Sequence, residues 1–310
     1  MNTILNTSAR FRLYAFDKVL IGYCLFMVGL VLAVGRPLAQ YGDEVIFYAS
    51  VAAIASLIAR FMPSNGEGFP TAIRLLYPGV LFLFFYRETA GTIFLLFDQF
   101  YDWQLTAFEK SIFGFNPTLY IDRHLLNVWF NEIFSFCYFA YYLLIPIFLL
   151  AAFYRKHYDI IRVFLFAICL TFFFSYILFF LYPIEGPRWH FASEYIHVIG
   201  GPVFRPLTEY IIAKGAVRGG CMPSSHFGVA LVVLMFSFKY YRRAGWAALP
   251  VVTGLGIGTF WGRFHYVSDV IIGGLIGLIS VLLAWKYYPI ASGKSYNSAE
   301  AKEFAKENVS

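Results

Sequence analysis

The residue types best suited to nucleophilic and acid–base chemistry are concentrated in two short polar runs. One of them, residues 263–269, reads Arg-Phe-His-Tyr-Val-Ser-Asp and stands directly before an apolar run. If a helix begins near His265, Asp269 lies one turn later on the same face, where its carboxylate can accept the Nδ1–H of the imidazole. That bond leaves Nε2 unprotonated, which is the state that a nucleophilic histidine requires. We therefore predict that His265 is a nucleophile and that Asp269 orients it.

The other polar run, residues 222–226, reads Met-Pro-Ser-Ser-His and also precedes an apolar run. Proline suits the first turn of a helix, so we expect Pro223 to open one. The next three N–H groups then lack partners within the helix, and the positive end of the helix dipole attracts anions such as phosphate. An imidazole in the same turn can protonate a leaving oxygen. We predict that Ser224 and Ser225 bind a phosphate and that His226 is the acid.

The two histidines are far apart in the sequence, by 39 positions (265 minus 226). Between them lie two apolar segments joined by the basic run Lys239–Arg243. A helical hairpin of this kind returns the chain to the side that it left. We therefore expect both polar runs to emerge at one face of a membrane, where the two imidazoles can meet.

The composition is that of a membrane protein. Of the 310 residues, 60% are hydrophobic and only 14% are charged, and the mean hydropathy of +0.65 is far above that of ordinary soluble domains. The 24 Lys and Arg residues punctuate apolar runs instead of clustering on one soluble face. We predict an integral membrane protein whose partners are membrane lipids and not nucleic acid.

Eight apolar runs approach the roughly 20 residues that a membrane-spanning helix needs. Their cores are Val19–Val34, Val45–Ala59, Leu75–Tyr86, Ile133–Phe153, Val163–Tyr182, Phe227–Phe238, Trp246–Phe260 and Val270–Trp285. Pro78 and Gly79 interrupt the third run, which makes it the weakest of the eight. The fold class predicted is an all-α, polytopic membrane bundle of about six to eight transmembrane helices.

The chain divides into four segments. Residues 1–97 hold N-terminal transmembrane helices, 98–131 an interfacial segment, 132–290 a transmembrane core with both polar runs, and 291–310 a polar cytoplasmic tail. Most Lys and Arg residues flank the apolar runs on one side if the N-terminus is inside. We expect both termini in the cytoplasm and the polar runs on the extracytoplasmic face.

The interfacial segment has an amphipathic pattern. Its apolar positions recur at helical spacing, at Tyr101, Leu105, Phe108 and Ile112. Polar residues occupy the other side of the same helix, at Asp102, Gln104, Glu109 and Lys110. Such a helix either lies on the outer leaflet or packs against the bundle.

Basic residues on the predicted outer side are an exception to the positive-inside bias. A bound phosphate needs fixed positive charge on its equatorial oxygens. Arg263 is adjacent to the polar run of His265, and Arg188 follows the fifth apolar run directly, so we predict that both bind phosphate. Arg205, Lys214 and Arg218 are weaker candidates in the same loop.

Each feature has an ordinary structural explanation when it stands alone. Pro-Ser-Ser-His is a helix cap, His265 with Asp269 is a hydrogen-bonded pair, and Arg263 is a snorkelling arginine. Two histidines and an aspartate can also ligate a metal. The coincidence of both runs and the basic residues on one face favours function. Cys221 stands beside the first run without an obvious partner.

Pro-Ser-Ser-His followed by Arg-Phe-His-Tyr-Val-Ser-Asp-Val at this spacing resembles the type 2 phosphatidic acid phosphatase superfamily. The resemblance covers about residues 98–286. The run from Asp98 to Tyr142 is similar to the branch that contains inositolphosphorylceramide synthases.

This resemblance implies a haloperoxidase-like helical core and a phosphohistidine mechanism that uses no metal and no cofactor. His265 is then the nucleophile, Asp269 its orienter, His226 the leaving-group acid and Arg188 a phosphate ligand. The sequence departs from the family pattern at two basic positions, where Thr259 replaces an arginine and Leu181 replaces a lysine. Arg205-Pro206 competes with Arg188 for the phosphate-ligand role.

Three functions remain open at this stage. The first is a lipid phosphotransferase that moves inositol phosphate or a similar headgroup to a lipid alcohol on the extracytoplasmic face. The second is a phosphatase acting on phosphatidate or polyprenyl phosphate. The third is a non-enzymatic transporter or scaffold, which would place ionisable groups near the bilayer midplane.

Overall fold

The computed structural model describes residues 13–34, 38–62 and 68–290, and these residues are predominantly helical. The helices are α1 (Ala15–Val34), α2 (Leu38–Phe61), α3 (Phe69–Thr92), α4 (Asp102–Phe113), α5 (Pro117–His124), α6 (Val128–Tyr154), α7 (Tyr158–Leu181), α8 (Pro187–His190), α9 (Phe204–Gly215), α10 (Ser225–Tyr240), α11 (Arg242–Trp261) and α12 (Val267–Tyr287). The described residues contain no strand beyond an isolated bridge between Ile184 and Gly220. The predicted all-α fold is confirmed, while the predicted tail, 291–310, lies outside the described residues.

Seven helices in the described part of the chain are long and apolar enough to cross a membrane: α1, α2, α3, α6, α7, α11 and α12. Helix α10 is apolar but has only 16 residues, a length of about 24 Å. The eight predicted apolar runs coincide with these eight helices. The protein is an integral, multi-pass membrane protein. Pro78 lies inside α3 without ending it, because membrane helices tolerate proline where neighbours re-satisfy the backbone.

Helix α7 lies at the centre of the bundle. It contacts α1, α3, α6, α10 and α12, and most of its side chains are buried. Aromatic rings fill the space around it; the rings of Tyr23 and Phe173, for example, stack with centroids 4.2 Å apart. Dense packing of this kind holds membrane helices together, since lipid provides no hydrophobic driving force between them.

Glycines allow two pairs of helices to approach closely, α10 with α12 and α11 with α6. A side chain at Gly228 of α10 would put its Cβ 2.6 Å from the carbonyl oxygen of Gly273 in α12. In α11, a Cβ at Gly258 would lie 2.8 Å from the carbonyl oxygen of Phe134 in α6. Because α10 and α12 touch backbone to backbone, their first turns lie side by side.

A buried ion pair joins α1 and α3 near their first residues. Arg74 donates from Nη1 to Asp17 Oδ1 at 2.7 Å, and Tyr77 donates to the same oxygen at 2.5 Å. Both charged side chains are completely buried. Each has the partners that a buried charge requires, so this cluster ties the N-terminal helices together.

Helix α4 corrects one expectation. The polar face was expected to point away from the apolar one, but α4 buries Asp102 and Glu109 together with Leu105. Phe108 and Ile112 are instead 55% and 58% exposed. The reason is that the two carboxylates accept backbone N–H groups from distant parts of the chain, namely the loop after α7 and the first turn of α12. Helix α4 therefore packs on the bundle through its acidic residues and leaves two of its apolar residues uncovered.

Candidate active site

His265 lies in the short connection between α11 and α12, and its Nδ1 has two neighbours. The carbonyl oxygen of Cys221 is 2.8 Å away and Oδ2 of Asp269 is 3.5 Å away. The predicted partner Asp269 is thus adjacent, but the carbonyl is the nearer acceptor. Helix α12 begins only at Val267, and the backbone N–H of Tyr266 donates to Asp269 Oδ2 at 2.8 Å. Because a carbonyl can only accept, Nδ1 carries the proton and Nε2 is free.

Cys221 is part of this site, which the sequence did not reveal. Its Sγ lies 2.9 Å from Asp269 Oδ2 and 3.6 Å from His265 Nδ1. Burial raises the pKa of the Cys221 thiol, and the nearby Asp269 raises it further, so the thiol donates to the carboxylate. The other oxygen of Asp269, Oδ1, is buried and has no hydrogen-bond partner among the described residues.

The first polar run differs from expectation in its helix start. Helix α10 begins at Ser225 with Ser224 as its N-cap, so Pro223 precedes the helix instead of opening it. The backbone N–H of Ser224 donates to the carbonyl oxygen of Asp269 at 2.9 Å. One of the three N–H groups expected to attract an anion is therefore occupied. That bond connects the two polar runs directly. Ser224 and Ser225 are both buried.

The two imidazoles meet as predicted. The ring centroids of His226 and His265 are 6.0 Å apart. Three tyrosines surround His226: Tyr86, Tyr138 and Tyr141. The hydroxyl of Tyr138 is 3.4 Å from Nε2 of His226, whereas Nδ1 is buried without a hydrogen-bond partner among the described residues. His226 is therefore desolvated, and one of its two nitrogens is not engaged.

The arginines near the polar runs form a cluster with acidic partners. Arg188 donates to Glu209 at 2.5 Å, and Arg205 donates to the other oxygen of the same carboxylate. Burial lowers the pKa of Arg205 to about 10, and the charges of Arg188 and Arg263 contribute to that shift. Glu209 thus bridges two guanidinium groups that repel each other. Arg188 and Arg205 lie together, and the structure does not separate the two as candidates.

Arg263 belongs to the same cluster and is held from three sides. It donates to Asp122 at 2.5 Å and to the carbonyl of His197 at 2.8 Å, and its guanidinium carbon lies 3.8 Å from the ring centroid of Tyr195. Its backbone is left-handed, with φ of 65°, which costs a non-glycine residue energy that such contacts offset. Burial lowers the pKa of Arg263, with repulsion from Arg188 a smaller cause.

Carboxylates of residues 98–131 fix the loops near the polar runs. Asp102 of α4 accepts the backbone N–H of Glu185 at 2.7 Å, that of Gly186 at 2.9 Å and the hydroxyl of Tyr266 at 2.9 Å. It therefore joins the loop after α7 to the residue beside His265. The acidic residues of this segment were visible in the sequence, but their partners lie up to 164 positions away.

Two further carboxylates act in the same way. Glu109 accepts the backbone N–H and the hydroxyl of Ser268 at 2.7 and 2.9 Å, which stabilises the first turn of α12. Burial raises the pKa of Glu109, and the hydrogen bonds from Ser268 oppose that effect. Glu132 accepts N–H groups of Val203, Phe204 and Arg205, the positive end of α9.

Thr259, which replaces an arginine of the family pattern, has a structural role. Its carbonyl accepts the backbone N–H groups of Phe264 and His265 at 2.8 and 3.0 Å, and its buried hydroxyl donates to the carbonyl of Gly256. The guanidinium of Arg205 lies over the ring of Phe264, 5.1 Å from its centroid. Positive charge next to His265 therefore comes from the loop residues and not from position 259.

Comparison with known proteins finds a family that covers both polar runs. The PAP2 superfamily matches residues 103–283, which is more than half of the chain and includes both polar runs. The chain belongs to the PAP2 superfamily and is a membrane protein of the lipid-phosphatase-like, phosphoesterase type.

One curated relative shares part of the sequence. Bacitracin transport permease protein BcrC of Bacillus licheniformis is 30% identical over 63 residues, which is 20% of this chain and 31% of that protein. The chain thus matches about a third of that relative's length. No solved structure matches the chain.

Proposed function

We propose that the protein cleaves a lipid phosphoester through a covalent phosphohistidine on His265. The observation that carries this proposal is the hydrogen bond of 2.8 Å between Nδ1 and the carbonyl of Cys221, which leaves the lone pair on Nε2. Nε2 attacks phosphorus, an N–P bond forms and the ester P–O bond breaks. His226, whose pKa burial lowers to about 3, takes up a proton when the phosphate anion binds beside it and then donates that proton to the departing oxygen. A hydroxyl group then attacks the phosphohistidine and gives up its proton to His226, which restores both residues.

The phosphate would be bound by groups that are now paired internally. Arg188, Arg205 and Arg263 carry three positive charges against the two carboxylates of Glu209 and Asp122. A phosphate that replaces Glu209 gains bidentate contacts with guanidinium groups, which suit its geometry. Ser225 and the remaining N–H groups at the start of α10 add uncharged donors. No step requires a metal ion.

For the acceptor we propose an alcohol, which makes the protein a phosphotransferase. A transferase must hold the alcohol for attack and keep water from competing, and good placement contributes on the order of 7–11 kcal/mol. Asp102, Asp122 and Glu132 fix the 183–222 loop through backbone N–H groups, and we propose that this loop provides the necessary cover. Inositol phosphate is the headgroup that the sequence resemblance favours.

The test is a turnover assay on lipid extract, with products identified by mass spectrometry and with His265→Ala as the inactive control. Supplying a lipid donor with and without candidate alcohols separates the two reactions. A new headgroup lipid that depends on the alcohol supports transfer. If free phosphate is the only product, the protein is a phosphatase, with phosphatidate and polyprenyl phosphate as the first substrates to compare.

The rival function is transport, because the Bacillus licheniformis relative is named a transport permease protein. Transporters place ionisable groups and broken helices near the bilayer midplane. Here the buried charges lie near helix ends: Asp17 and Arg74 near the starts of α1 and α3, and Asp269 in the first turn of α12. This distribution favours an enzyme. Purified protein that releases no phosphate from any lipid phosphate, with or without metal, would contradict it.

We further propose that the site faces the extracytoplasmic side, as the positive-inside bias indicates. Ser193 is exposed in the loop that follows α8. A cysteine at this position should react with an impermeant thiol reagent in intact cells, whereas the four native cysteines are buried. Labelling only after permeabilisation would place the site in the cytoplasm.

A further inference from the structure

Three side chains of different metal-ligand types, a thiol, an imidazole and a carboxylate, lie close together at Nδ1 of His265. Cys221 Sγ lies 2.9 Å from Asp269 Oδ2 and 3.6 Å from His265 Nδ1, and the last two atoms are 3.5 Å apart. This set is the one group of His, Cys, Asp and Glu side chains with metal-binding spacing in the part of the chain that the structure describes. All three side chains are buried. Oδ1 of Asp269 is a second, independent sign, because it is buried without a hydrogen-bond partner there.

The distances fit a tetrahedral ion. Zinc binds thiolate at about 2.3 Å and imidazole or carboxylate at about 2.0–2.2 Å, so tetrahedral ligand atoms lie about 3.4–3.6 Å apart. The two distances to Nδ1 agree with this range. The distance from sulfur to the carboxylate is shorter because the thiol proton now bridges these atoms, and it must open by about 0.7 Å when an ion replaces that proton. The fourth position stays open for water.

We propose that Cys221, His265 and Asp269 form an inhibitory site for one thiophilic divalent cation of the zinc class. This site goes beyond the proposed function, in which no metal takes part. The binding rests on the ligand geometry alone, while the inhibition rests on the proposed role of His265. A soft thiolate and an imidazole select zinc and cadmium over magnesium and calcium.

The inhibition follows from proton positions. A neutral imidazole has one lone pair, and an ion on Nδ1 takes it. The proton of Nδ1 must then reside on Nε2, which removes the lone pair that attacks phosphorus. The thiol loses its proton to solvent when the sulfur binds the ion. Binding of each ion therefore releases one proton and blocks the phosphohistidine.

The test is a cadmium titration of the purified full-length protein in a thiol-free buffer, followed by the ultraviolet thiolate-to-cadmium absorption. We expect a band that saturates at one ion per chain, disappears on adding zinc, and is accompanied by release of one proton. Cys221→Ala should lose the band. Cys169→Ala is the matched control, since Cys169 is equally buried but lies inside α7, and it should keep the band.

Two further variants protect the test against misfolding of Cys221→Ala. His265→Ala and Asp269→Asn each retain the thiol, and each should weaken cadmium binding by at least about tenfold. No band in the wild type, or an unchanged band in Cys221→Ala, would overturn the site. Binding without loss of turnover would instead preserve the site and contradict the role given to Nε2 of His265.

Discussion

The pair His265–Asp269 and the arginine cluster are both charged, yet they are held in different ways. His265 is oriented by a backbone carbonyl, and the completely buried carboxylate of Asp269 accepts the backbone N–H of Tyr266. Arg188 is held instead by the side chain of Glu209, and both side chains are about one third exposed. The comparison indicates that backbone hydrogen bonds fix the position of His265, the proposed nucleophile. The arginine charges proposed to bind phosphate are held by a side-chain ion pair, which we expect a substrate to replace.

The largest effect should come from His265→Ala. If the imidazole forms the covalent intermediate, its removal lowers kcat on the order of 10⁴-fold or more. Acid-labile phosphate trapped on the protein should disappear with it. Arg188→Ala should still trap phosphate but at a higher substrate concentration, because it changes only the arginine cluster and leaves His265 in place. His190→Ala, a change at a histidine of α8 outside the proposed steps, is the control and should remain active.

His226→Ala should have an effect that depends on the leaving group. General acid catalysis is worth roughly 10²–10⁴-fold when the departing oxygen needs a proton, so an alkyl lipid phosphate should lose that much. An aryl phosphate leaves without a proton and should lose far less. The measurement is kcat for both substrates in the wild type and the variant. Equal losses would show that His226 binds phosphate instead of donating a proton.

A carboxylate-to-amide change should impair catalysis beside His265 but improve substrate binding at the arginine cluster. Asp269→Asn removes the charge that stabilises the imidazole during attack and should lower kcat roughly 10²-fold. The loss stays below that of His265→Ala because the Cys221 carbonyl still fixes the tautomer. Glu209→Gln releases two arginines for the substrate and should lower KM by about two- to fivefold, a modest effect because the ion pair is partly exposed.

Steady-state kinetics on one lipid phosphate measure both variants. Arg205→Ala on the Glu209→Gln background is a useful addition, since it should cancel the gain if the released guanidinium binds the substrate. A fall in kcat for Glu209→Gln would mean that its carboxylate takes part in the reaction, and the contrast between the regions would then be lost.

The smallest effect concerns Glu109, whose pKa is raised by burial. The folded protein therefore favours the protonated form of Glu109. The stability that this group contributes is fully present below its pKa in the unfolded chain, and it is lost as pH rises through its pKa in the folded protein. Glu109→Gln has no proton to lose and still accepts from Ser268. The free energy of unfolding of Glu109→Gln, relative to that of the wild type, should therefore increase with pH by about 1 kcal/mol.

Thermal unfolding in detergent at acidic and neutral pH measures this difference. Glu194→Gln is the matched control, since Glu194 is exposed in the loop that follows α8, and it should show no such trend. A constant difference between Glu109→Gln and wild type across pH would contradict the raised pKa of Glu109.

Features that depend on neighbouring residues could be predicted well from the sequence. The apolar runs locate the seven long apolar helices and the shorter α10. A helix in lipid forms all its backbone hydrogen bonds internally and needs only about 20 apolar residues. The meeting of His226 and His265 followed from the hairpin, since two antiparallel helices bring their outer ends to one face.

Local rules failed where the deciding partner is distant in the chain. Periodicity in α4 predicted an apolar face, but Asp102 and Glu109 turn inward to accept N–H groups from the loop after α7 and from α12. The pairing of Asp269 with His265 was predicted from spacing alone. Only the fold decided that the carbonyl of Cys221 is nearer.

The sequence by itself determined the membrane environment, the order of the helices and the residue types at the site. The tertiary structure decided which acceptor orients His265. It also decided that Cys221 lies beside His265 and that carboxylates form ion pairs with the arginines. The physical reason is the range of each interaction. Helix formation and membrane insertion depend on residues a few positions apart, whereas a buried donor takes whichever acceptor the packed loops bring within about 3 Å.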